Sequence, residues 1–295
     1  MYLEENFSLK ELTTIKVGGR AKFYIEPSSL EELKNSIEFS QKLDIPLFIL
    51  GKGSNTIFGN IGGLVVNTRR LKGISIREKD NEVLVECLCG TPLKSIIKLS
   101  LKEKLKDFYK LLGFPASVGG AVAMNAGAFG VEISNFLDEV YFISWEGKLE
   151  KLKREEITFS YRNSPFPKIG VVYKVVLRLK RTEENIMEDY IRIRNLRKEK
   201  QPINEPTSGS TFKNPRGYYA GKLLEDTGLK GFRLKNIGFS EKHANFLINY
   251  GNASFQEVIE IIEIAKEKVF KEFGINLVEE VKLVEDSGLN GWKVL

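Results

Sequence analysis

The chain has 295 residues, of which 42% are hydrophobic, so it can bury a core in two or three compact units. Its 45 basic and 39 acidic residues give a formal net charge of +6, but both signs alternate within segments such as "SLKEKLKD" and "EIAKEKVFKEF". Such mixing is typical of solvated helix faces, and no zinc-ligand spacing or aromatic RNA-binding pattern accompanies it. The composition therefore argues against nucleic-acid binding and favours a small phosphorylated partner.

The N-terminal segment and the cysteines indicate the compartment. "MYLEENFSLKELTT" carries acids where a secretory signal needs basic residues, and no later stretch is long and apolar enough to span a bilayer, so we expect a cytoplasmic protein without membrane binding. Cys87 and Cys89 would point the same way about 7 Å apart on a strand, too far for an unstrained disulfide, which predicts two buried thiols. With His243 as the single histidine, we expect neither a protein-held metal nor a histidine-based catalytic triad.

The first helix predicted from a capping pattern is followed by a strand and then by a glycine-containing loop. Ser29 and Glu32 form a predicted capping box, and the helix is followed by the apolar strand "IPLFIL" and then by "GKGSN" (51–55). Two glycines let backbone N–H groups approach an anion, while Ser54 and Asn55 can add hydrogen bonds. The loop lacks the ending of a nucleotide P-loop and the spacing of a Rossmann fingerprint. Taken alone, it is more typical of an ordinary turn.

A second glycine-containing segment follows the strands "GLVVNT" and "EVLVECLCG" and a helix. For that helix, Thr91 is the predicted N-cap and Pro92 the first residue. The next segment, "GFPASVGGAVAMNAGAFG" (113–130), consists almost entirely of small residues. It is typical either of a tightly packed turn or of a backbone that approaches a large planar or phosphorylated ligand, with Asn125 supplying an amide. Two such loops in one unit favour one extended ligand.

A bend further on presents an arginine. After a hairpin predicted at Glu146-Gly147, the segment "FSYRNSPFP" places Arg162 between an aromatic residue and turn residues. An arginine at such a place is usually exposed to solvent. A guanidinium held by a rigid bend, however, is suited to binding a carboxylate through two N–H groups.

The C-terminal part begins near residue 182, after the strand "GVVYKVVLRLKR". It holds the polar run "SGSTFKNP" (208–215), the helix-like "GYYAGKLLEDTG" and the strand-like "HANFLIN". An amphipathic helix is predicted from Ser254 to about Phe273, with Ser254 and Glu257 as a capping box and Gly274 after its end. In the final predicted strand, "LVEEVKLVE", an inward Glu280 would be costly without a partner or a function.

The ordered set "GKGSN", "GFPASVGGAVAMNAGAFG", "SYRNS", "SGSTFKNP", "HANFLIN" and "LVEEV" resembles the UDP-N-acetylenolpyruvoylglucosamine reductase family, also known as UDP-N-acetylmuramate dehydrogenases, over about residues 13–284. The resemblance implies an α+β fold: a vanillyl-alcohol-oxidase-type FAD-binding domain of two subdomains (residues 1–182, divided near 60–65) and a C-terminal α+β substrate-binding domain (183–295). It implies a cytoplasmic flavoenzyme, expected to be a monomer, of peptidoglycan precursor synthesis. The reaction would be NADPH-dependent reduction of the enolpyruvyl ether of UDP-N-acetylglucosamine enolpyruvate to UDP-N-acetylmuramate, although the sequence leaves NADPH against NADH open.

The resemblance also assigns residues. The implied FAD-binding residues lie in the two glycine-containing loops: Gly51, Lys52, Gly53, Ser54, Asn55, Ser117, Gly119, Gly120, Ala121, Asn125, Ala126 and Gly127. FAD is expected to be non-covalent, because residues 1–182 contain no histidine for attachment. The implied catalytic set consists of Arg162 as an electrostatic stabiliser, Ser210 as proton donor and Glu280 as a neutral donor. Lys213, Asn214 and Lys222 are the candidates for contacts to the sugar or diphosphate.

Some residues depart from the family pattern, and other functions stay open. Ala116, Phe129 and Lys52 replace residues that are common in the family, and "NSPFPKIG" leaves no room for the tyrosine-bearing insertion of one branch, which implies the shorter branch. The alternatives are an FAD-dependent oxidase of another alcohol or sugar and a non-catalytic nucleotide-binding module. The oxidase is disfavoured because a serine, an arginine and a glutamate form a set for protonating a carbanion, which an oxidase does not need.

Overall fold

The computed structural model describes residues 2–285 and 293–294 of the chain. These residues form two compact units. Unit 1 comprises Tyr24–Lys52, Gly63–Asn195 and the residues before Glu5, whereas unit 2 comprises Glu5–Phe23, Gly53–Gly62 and the chain from Leu196 onward. The domain boundaries expected from the sequence, near residues 60–65 and at 182, stay predictions.

The described chain contains both α-helices and β-strands. The α-helices are α1 (Leu30–Lys42), α2 (Leu93–Lys102), α3 (Val118–Ala123), α4 (Phe166–Ile169), α5 (Ile186–Lys200), α6 (Ala220–Asp226) and α7 (Phe255–Phe273). The strands are β1 (Leu3–Ser8), β2 (Arg20–Ile25), β3 (Leu47–Leu50), β4 (Thr56–Phe58), β5 (Ile61–Asn67), β6 (Ile74–Lys79), β7 (Glu82–Leu88), β8 (Gly127–Ala128), β9 (Val131–Glu132), β10 (Leu137–Ser144), β11 (Leu149–Lys153), β12 (Gly170–Lys180), β13 (Thr207–Ser210), β14 (Arg233–Leu234), β15 (Ile237–Phe239), β16 (Phe246–Asn249), β17 (Lys282–Glu285) and β18 (Lys293–Val294).

Unit 1 contains an antiparallel sheet in the order β11-β10-β12-β7-β6. Val83, Val85 and Cys87 lie on one face of β7 and are buried, and Leu84 is buried on the other face. Helix α3 packs against β7 and β12. The thiols of Cys87 and Cys89 are free and buried, and burial raises the pKa of each to about 12. The prediction of two buried, unbridged cysteines is confirmed.

Unit 2 has its own sheet and core. The sheet has the order β13-β16-β15-β14, and a second sheet contains β17 paired in parallel with β4. Helix α7 turns one apolar face inward, with Val258, Ile261 and Ile262 buried at helical spacing. Phe212 is fully buried in the same core. No helix within the described residues combines the length and the apolar character that crossing a bilayer requires.

The residues predicted to cap α7 are confirmed, and those predicted to cap α1 are confirmed in part. At α7, the Ser254 hydroxyl accepts from the Glu257 N–H and the Glu257 carboxylate accepts from the Ser254 N–H, while Gly274 ends the helix with φ of +66°. At α1, Ser29 is the N-cap, but the Glu32 carboxylate accepts from the Ser28 N–H instead of closing the predicted box.

The predicted start of α2 is wrong by one residue. Pro92, in an extended conformation, is the N-cap, and α2 begins at Leu93. The Thr91 hydroxyl accepts from the N–H of Gly73 at 3.2 Å and donates to the Gly73 carbonyl at 3.1 Å. This side chain therefore holds the chain at Gly73 and does not cap the helix. The hairpin at Glu146-Gly147 forms as predicted, between β10 and β11.

Candidate active site

The two glycine-containing loops meet within unit 1. A Cβ atom at Gly51 would collide with the Ser117 hydroxyl and would lie 4.0 Å from the Gly120 Cα. Ser117 is the N-cap of α3, and its hydroxyl accepts from the Gly120 N–H at 3.3 Å. The Gly51 backbone therefore lies directly against the start of the small-residue helix, which agrees with the expectation of one extended ligand site.

Close packing explains why two positions of α3 hold small residues. A Cβ atom at Gly119 would lie 2.6 Å from the Cys89 Cβ, and the Gly119 N–H donates to the Cys89 carbonyl at 2.8 Å. Ala121 is buried, and its carbonyl accepts from the Ala126 N–H at 2.8 Å. These contacts hold α3 against the end of β7 and fold the chain back toward Asn125.

Asn125 is a buried polar residue in a left-handed conformation, with φ of +44°. Its Nδ2 donates to the Glu132 carboxylate at 2.8 Å and to the Ser160 carbonyl at 3.0 Å. Its Oδ1 is buried and has no hydrogen-bond donor among the described residues. A buried acceptor without a donor costs about 1–3 kcal/mol, and a ligand that donates an N–H would remove that cost.

Arg162 lies in a tight turn held by two backbone hydrogen bonds between Ser160 and Asn163, of 3.2 and 3.0 Å. Its φ is +54°, a strained region for a residue with a side chain. The guanidinium is half-buried and donates to the Gly127 carbonyl at 2.9 Å. A Cβ atom at Gly127 would lie 3.2 Å from the guanidinium, so a glycine here makes room for it. Arg162 is therefore a fixed side chain, unlike a mobile surface arginine.

Within unit 2, Ser210 and Glu280 are neighbours. Ser210 ends β13, and the carbonyl of the next residue, Thr211, accepts from the Glu280 N–H at 2.8 Å. On the same edge, the Lys213 N–H donates to the Val278 carbonyl at 2.8 Å. The chain from Ser210 to Lys213 and the chain around Glu280 thus lie side by side.

The predicted strand around Glu280 is wrong in its extent. Residues 278–280 bond to residues 211–213, whereas regular pairing with β4 starts only at Lys282, whose N–H donates to the Asn55 carbonyl at 2.9 Å. The chain changes partner at Val281, so Glu280 precedes β17 and is half-buried. Glu280 therefore lies where the chain stops bonding to residues 211–213 and before it starts to pair with β4. It does not lie on the face of a regular strand.

The loop "GKGSN" is divided between the units after Lys52, which is exposed. Gly53 has φ of +63° and a Cβ atom there would collide with the Leu12 carbonyl, so only glycine fits. Ser54 is half-buried. The side-chain amide of Asn55 donates to the Glu280 carbonyl at 3.1 Å, so a residue expected to bind the cofactor contacts the backbone of a candidate catalytic residue.

The predicted substrate-binding residues have different surroundings. Lys213 is half-buried beside the Glu280 segment. The Asn214 side-chain oxygen accepts from the N–H of Ala220, the first residue of α6, at 3.0 Å. Lys222 is exposed and forms an ion pair with Asp226 one helical turn away. Lys213 is thus the best placed of the three for a ligand of the Ser210 region.

Two residues near Ser210 were missed by the sequence analysis. Lys282 is half-buried, and its pKa is lowered by burial first and then by the positive charge of Lys213. Two adjacent cations suit an anionic group such as a diphosphate. The lysine in "EEVK" was the available signal. The other missed residue is the buried Asn245, whose side chain bonds to the Phe212 backbone and which no local pattern singled out.

Comparisons with known proteins agree with the geometry of both units. Residues 21–153 match a family model described as FAD binding domain, and residues 201–284 match UDP-N-acetylenolpyruvoylglucosamine reductase, C-terminal domain. The chain is 65% identical over 295 residues to the UDP-N-acetylenolpyruvoylglucosamine reductase of Aquifex aeolicus, covering 100% of this chain and 99% of that relative.

Two solved structures are similar to the chain. The crystal structure of UDP-N-acetylenolpyruvylglucosamine reductase from Thermus caldophilus matches with a TM-score of 0.79 and 32% identity, over 96% of this chain and 99% of that one. A solvent-stable cholesterol oxidase matches with a TM-score of 0.50 and 15% identity, over 61% of this chain and 38% of that one, which is a likeness of fold alone. The predicted α+β fold, with an FAD-binding part and a C-terminal domain of its own, is confirmed. The chain belongs to the UDP-N-acetylenolpyruvoylglucosamine reductase family of FAD-dependent oxidoreductases.

Proposed function

We propose that Ser210, Glu280 and Arg162 carry the substrate half of this family's reaction, the reduction of the enolpyruvyl ether of UDP-N-acetylglucosamine enolpyruvate to UDP-N-acetylmuramate. The observation that supports this most is the hydrogen bond from the Glu280 N–H to the Thr211 carbonyl, which keeps the glutamate beside the serine. A serine and a glutamate on neighbouring backbone segments can supply a hydroxyl and a carboxyl to a charge that develops on one carbon.

The residues of unit 1 fit FAD. Gly51 packs against Ser117 and Gly127 against Glu132 and Arg162, which brings the small-residue backbone together, and the orphaned Asn125 Oδ1 can accept from an N–H of a flavin or adenine ring. We assign the binding of FAD, without a covalent link, to the twelve loop residues named above, of which Asn125 has the most direct structural support. Bound at these residues, FAD would supply the hydride transfer from NADPH to the substrate.

The protein's own side chains must then handle charge and one proton. A hydride that adds to the terminal vinyl carbon makes it a methyl group and leaves a negative charge on the carbon next to the carboxylate. Arg162, fixed against the Gly127 carbonyl, stabilises the charge that spreads onto that carboxylate. In its protonated form, the Glu280 carboxyl can donate a hydrogen bond to the same charge. The Ser210 hydroxyl gives its proton to the carbon, and water restores that proton.

The anionic part of the substrate needs cations of unit 2. Lys213 and the half-buried Lys282 are adjacent, and we assign the diphosphate to this pair. Asn214 and Lys222 stay in the proposal as sugar or diphosphate contacts, although each would have to share or exchange its present partner. We also propose a cytoplasmic monomer whose partners are the UDP-sugar and NADPH, without nucleic acid or membrane. Light scattering of the purified protein checks the monomer.

If Glu280 acts as a hydrogen-bond donor, its replacement by glutamine should be less harmful than its replacement by alanine. Glu280→Gln keeps an N–H donor and should slow reoxidation of the reduced flavin by the enolpyruvyl substrate less than Glu280→Ala, for which we expect a loss of about 10²–10³-fold. Stopped-flow absorbance of the flavin measures both rates. The control is Glu279→Gln, which removes an ion pair with Lys266 one residue away and should stay within about twofold of the parent. Equal losses for the two Glu280 variants would show that a proton or a charge is essential instead.

A further inference from the structure

The chain around Ser210 lacks a regular strand neighbour on one side. Strand β13 pairs with β16 at Thr207 and at Ser210, but the register shifts between these two positions, and the pairing ends at Ser210. The next residues still need partners for their backbone groups, because Thr211 and Phe212 are fully buried.

The side chain of Asn245 takes the place of the missing strand. Its Oδ1 accepts from the Phe212 N–H at 2.9 Å, and its Nδ2 donates to the Phe212 carbonyl at 2.8 Å. The backbone carbonyl of Asn245 also accepts from the Thr211 N–H at 2.7 Å. One residue of a neighbouring strand would make the same pair of bonds to Phe212. The amide is buried, with 4% of the residue exposed, so water cannot replace these bonds.

The opposite edge of the same segment holds Glu280. Phe212 forms an antiparallel bridge with Glu279, and the Thr211 carbonyl accepts from the Glu280 N–H. Asn245 therefore fixes one edge of a segment that continues directly from Ser210. The other edge of the same segment is bonded to the chain at Glu280. A displacement at Phe212 would move both candidate donors.

The turn before β16 fixes Asn245 itself. The Asn245 N–H donates to the Nδ1 atom of His243 at 3.2 Å, which requires that Nδ1 carry no proton. Burial is the main cause that lowers the pKa of His243; the charges that act on it are those of Lys230, which lowers it further, and Glu225, which raises it. The neutral imidazole is the form that can accept this bond, and the lowered pKa of His243 favours that form.

We propose that Asn245 is a positioning residue of the active site, whose buried amide aligns the Ser210 hydroxyl and the Glu280 carboxyl with the substrate carbon. This inference rests on the proposed roles of Ser210 and Glu280. Asn245 contacts neither the substrate nor the cofactor in the proposal; it acts through the Phe212 peptide. Misplacing a reacting group by about 1 Å can cost about 10²-fold in rate.

The variant Asn245→Asp tests the proposal because its effect depends on pH. As a carboxylate, the aspartate faces the Phe212 carbonyl with an acceptor where a donor is needed, and burial raises its pKa above the usual range. As a neutral acid, it again offers one acceptor and one donor. Reoxidation of the NADPH-reduced holoenzyme by the enolpyruvyl substrate should be about 10²-fold slower than in the parent at pH 8. The ratio of variant to parent should recover as the pH falls.

Two further variants complete the test. Asn245→Leu has no polar group and should stay slow relative to the parent at every pH. Asn249→Asp is the matched control, because Asn249 is the last residue of β16, the strand that begins just after Asn245: the Asn249 amide donates to the Ile15 and Lys16 carbonyls, so this change should lower thermal stability without a pH-dependent loss of reoxidation. If Asn245→Leu does not fold, Asn245→Asp alone decides, because its acidic form restores both bonds.

The outcomes separate the inference from the proposed function. The inference is supported if Asn245→Asp slows reoxidation, keeps FAD reduction by NADPH near the parental rate and recovers at low pH. It is overturned if Asn245→Asp matches the parent at all pH values, if it slows both half-reactions equally, or if Asn249→Asp behaves in the same way. If Ser210→Ala leaves reoxidation intact, the proposed function itself fails. If Ser210→Ala slows reoxidation and Asn245→Asp does not, only the inference fails.

Discussion

Replacing Ser210 with alanine is expected to slow reoxidation of the reduced flavin by the enolpyruvyl substrate about 10²–10⁴-fold, the usual loss for a positioned general acid. FAD reduction by NADPH should keep nearly its parental rate, because that hydride transfer involves no charge on the substrate carbon. Stopped-flow absorbance of the flavin separates these two half-reactions.

Two other variants sharpen the Ser210 experiment. Ser210→Cys should recover part of the lost rate, because a thiol is a stronger acid of similar shape. Ser208→Ala is the matched control on the same strand: the Ser208 hydroxyl is buried and has no partner among the described residues, so its loss should change little. Slower reduction by NADPH with intact reoxidation in Ser210→Ala would mean that "SGSTFKNP" serves the cofactor or the fold.

Replacing Arg162 with lysine is expected to lower turnover about 10²-fold, in the range seen when one electrostatic donor is removed from an active site. Lysine keeps the charge but not the planar fork that binds a carboxylate through two N–H groups. The affinity for FAD, measured by flavin fluorescence, should change far less than turnover.

Arg154→Lys is the matched control for Arg162. The Arg154 guanidinium donates to the Ser134 and Ile157 carbonyls at 2.7 and 3.0 Å and lies over the Phe159 ring, so its surroundings resemble those of Arg162. No role in the reaction is assigned to it, and its lysine variant should turn over within about twofold of the parent. An Arg162→Lys enzyme with parental turnover would show that Arg162 is a structural residue.

Local chemistry explains which parts of the fold the sequence could predict. The capping box of Ser254 and Glu257, the glycine that ends α7 and the two buried thiols each depend on residues close in sequence. The predicted cap at Thr91 was wrong because that hydroxyl bonds to Gly73, eighteen residues away. A contact over that distance leaves no periodic pattern.

The site illustrates the same limit. The residue types at Arg162, Ser210 and Glu280 could be named from motifs, but what holds them could not. Arg162 is fixed by the Gly127 carbonyl, 35 residues earlier, and Phe212 by the Asn245 amide, 33 residues later. Such bonds depend on how the chain folds back on itself. The sequence around Asn245 does not indicate that its side chain bonds to the Phe212 backbone in place of a neighbouring strand.

Anaerobic reoxidation of the parent enzyme tests the central claim most directly. The FAD-loaded protein is reduced with NADPH without oxygen and then mixed with UDP-N-acetylglucosamine enolpyruvate. We expect the absorbance of oxidised flavin to return and UDP-N-acetylmuramate to form in an amount equal to the flavin reoxidised. A flavin that stays reduced in the presence of this substrate and is reoxidised only when oxygen is admitted would contradict the account and indicate an oxidase.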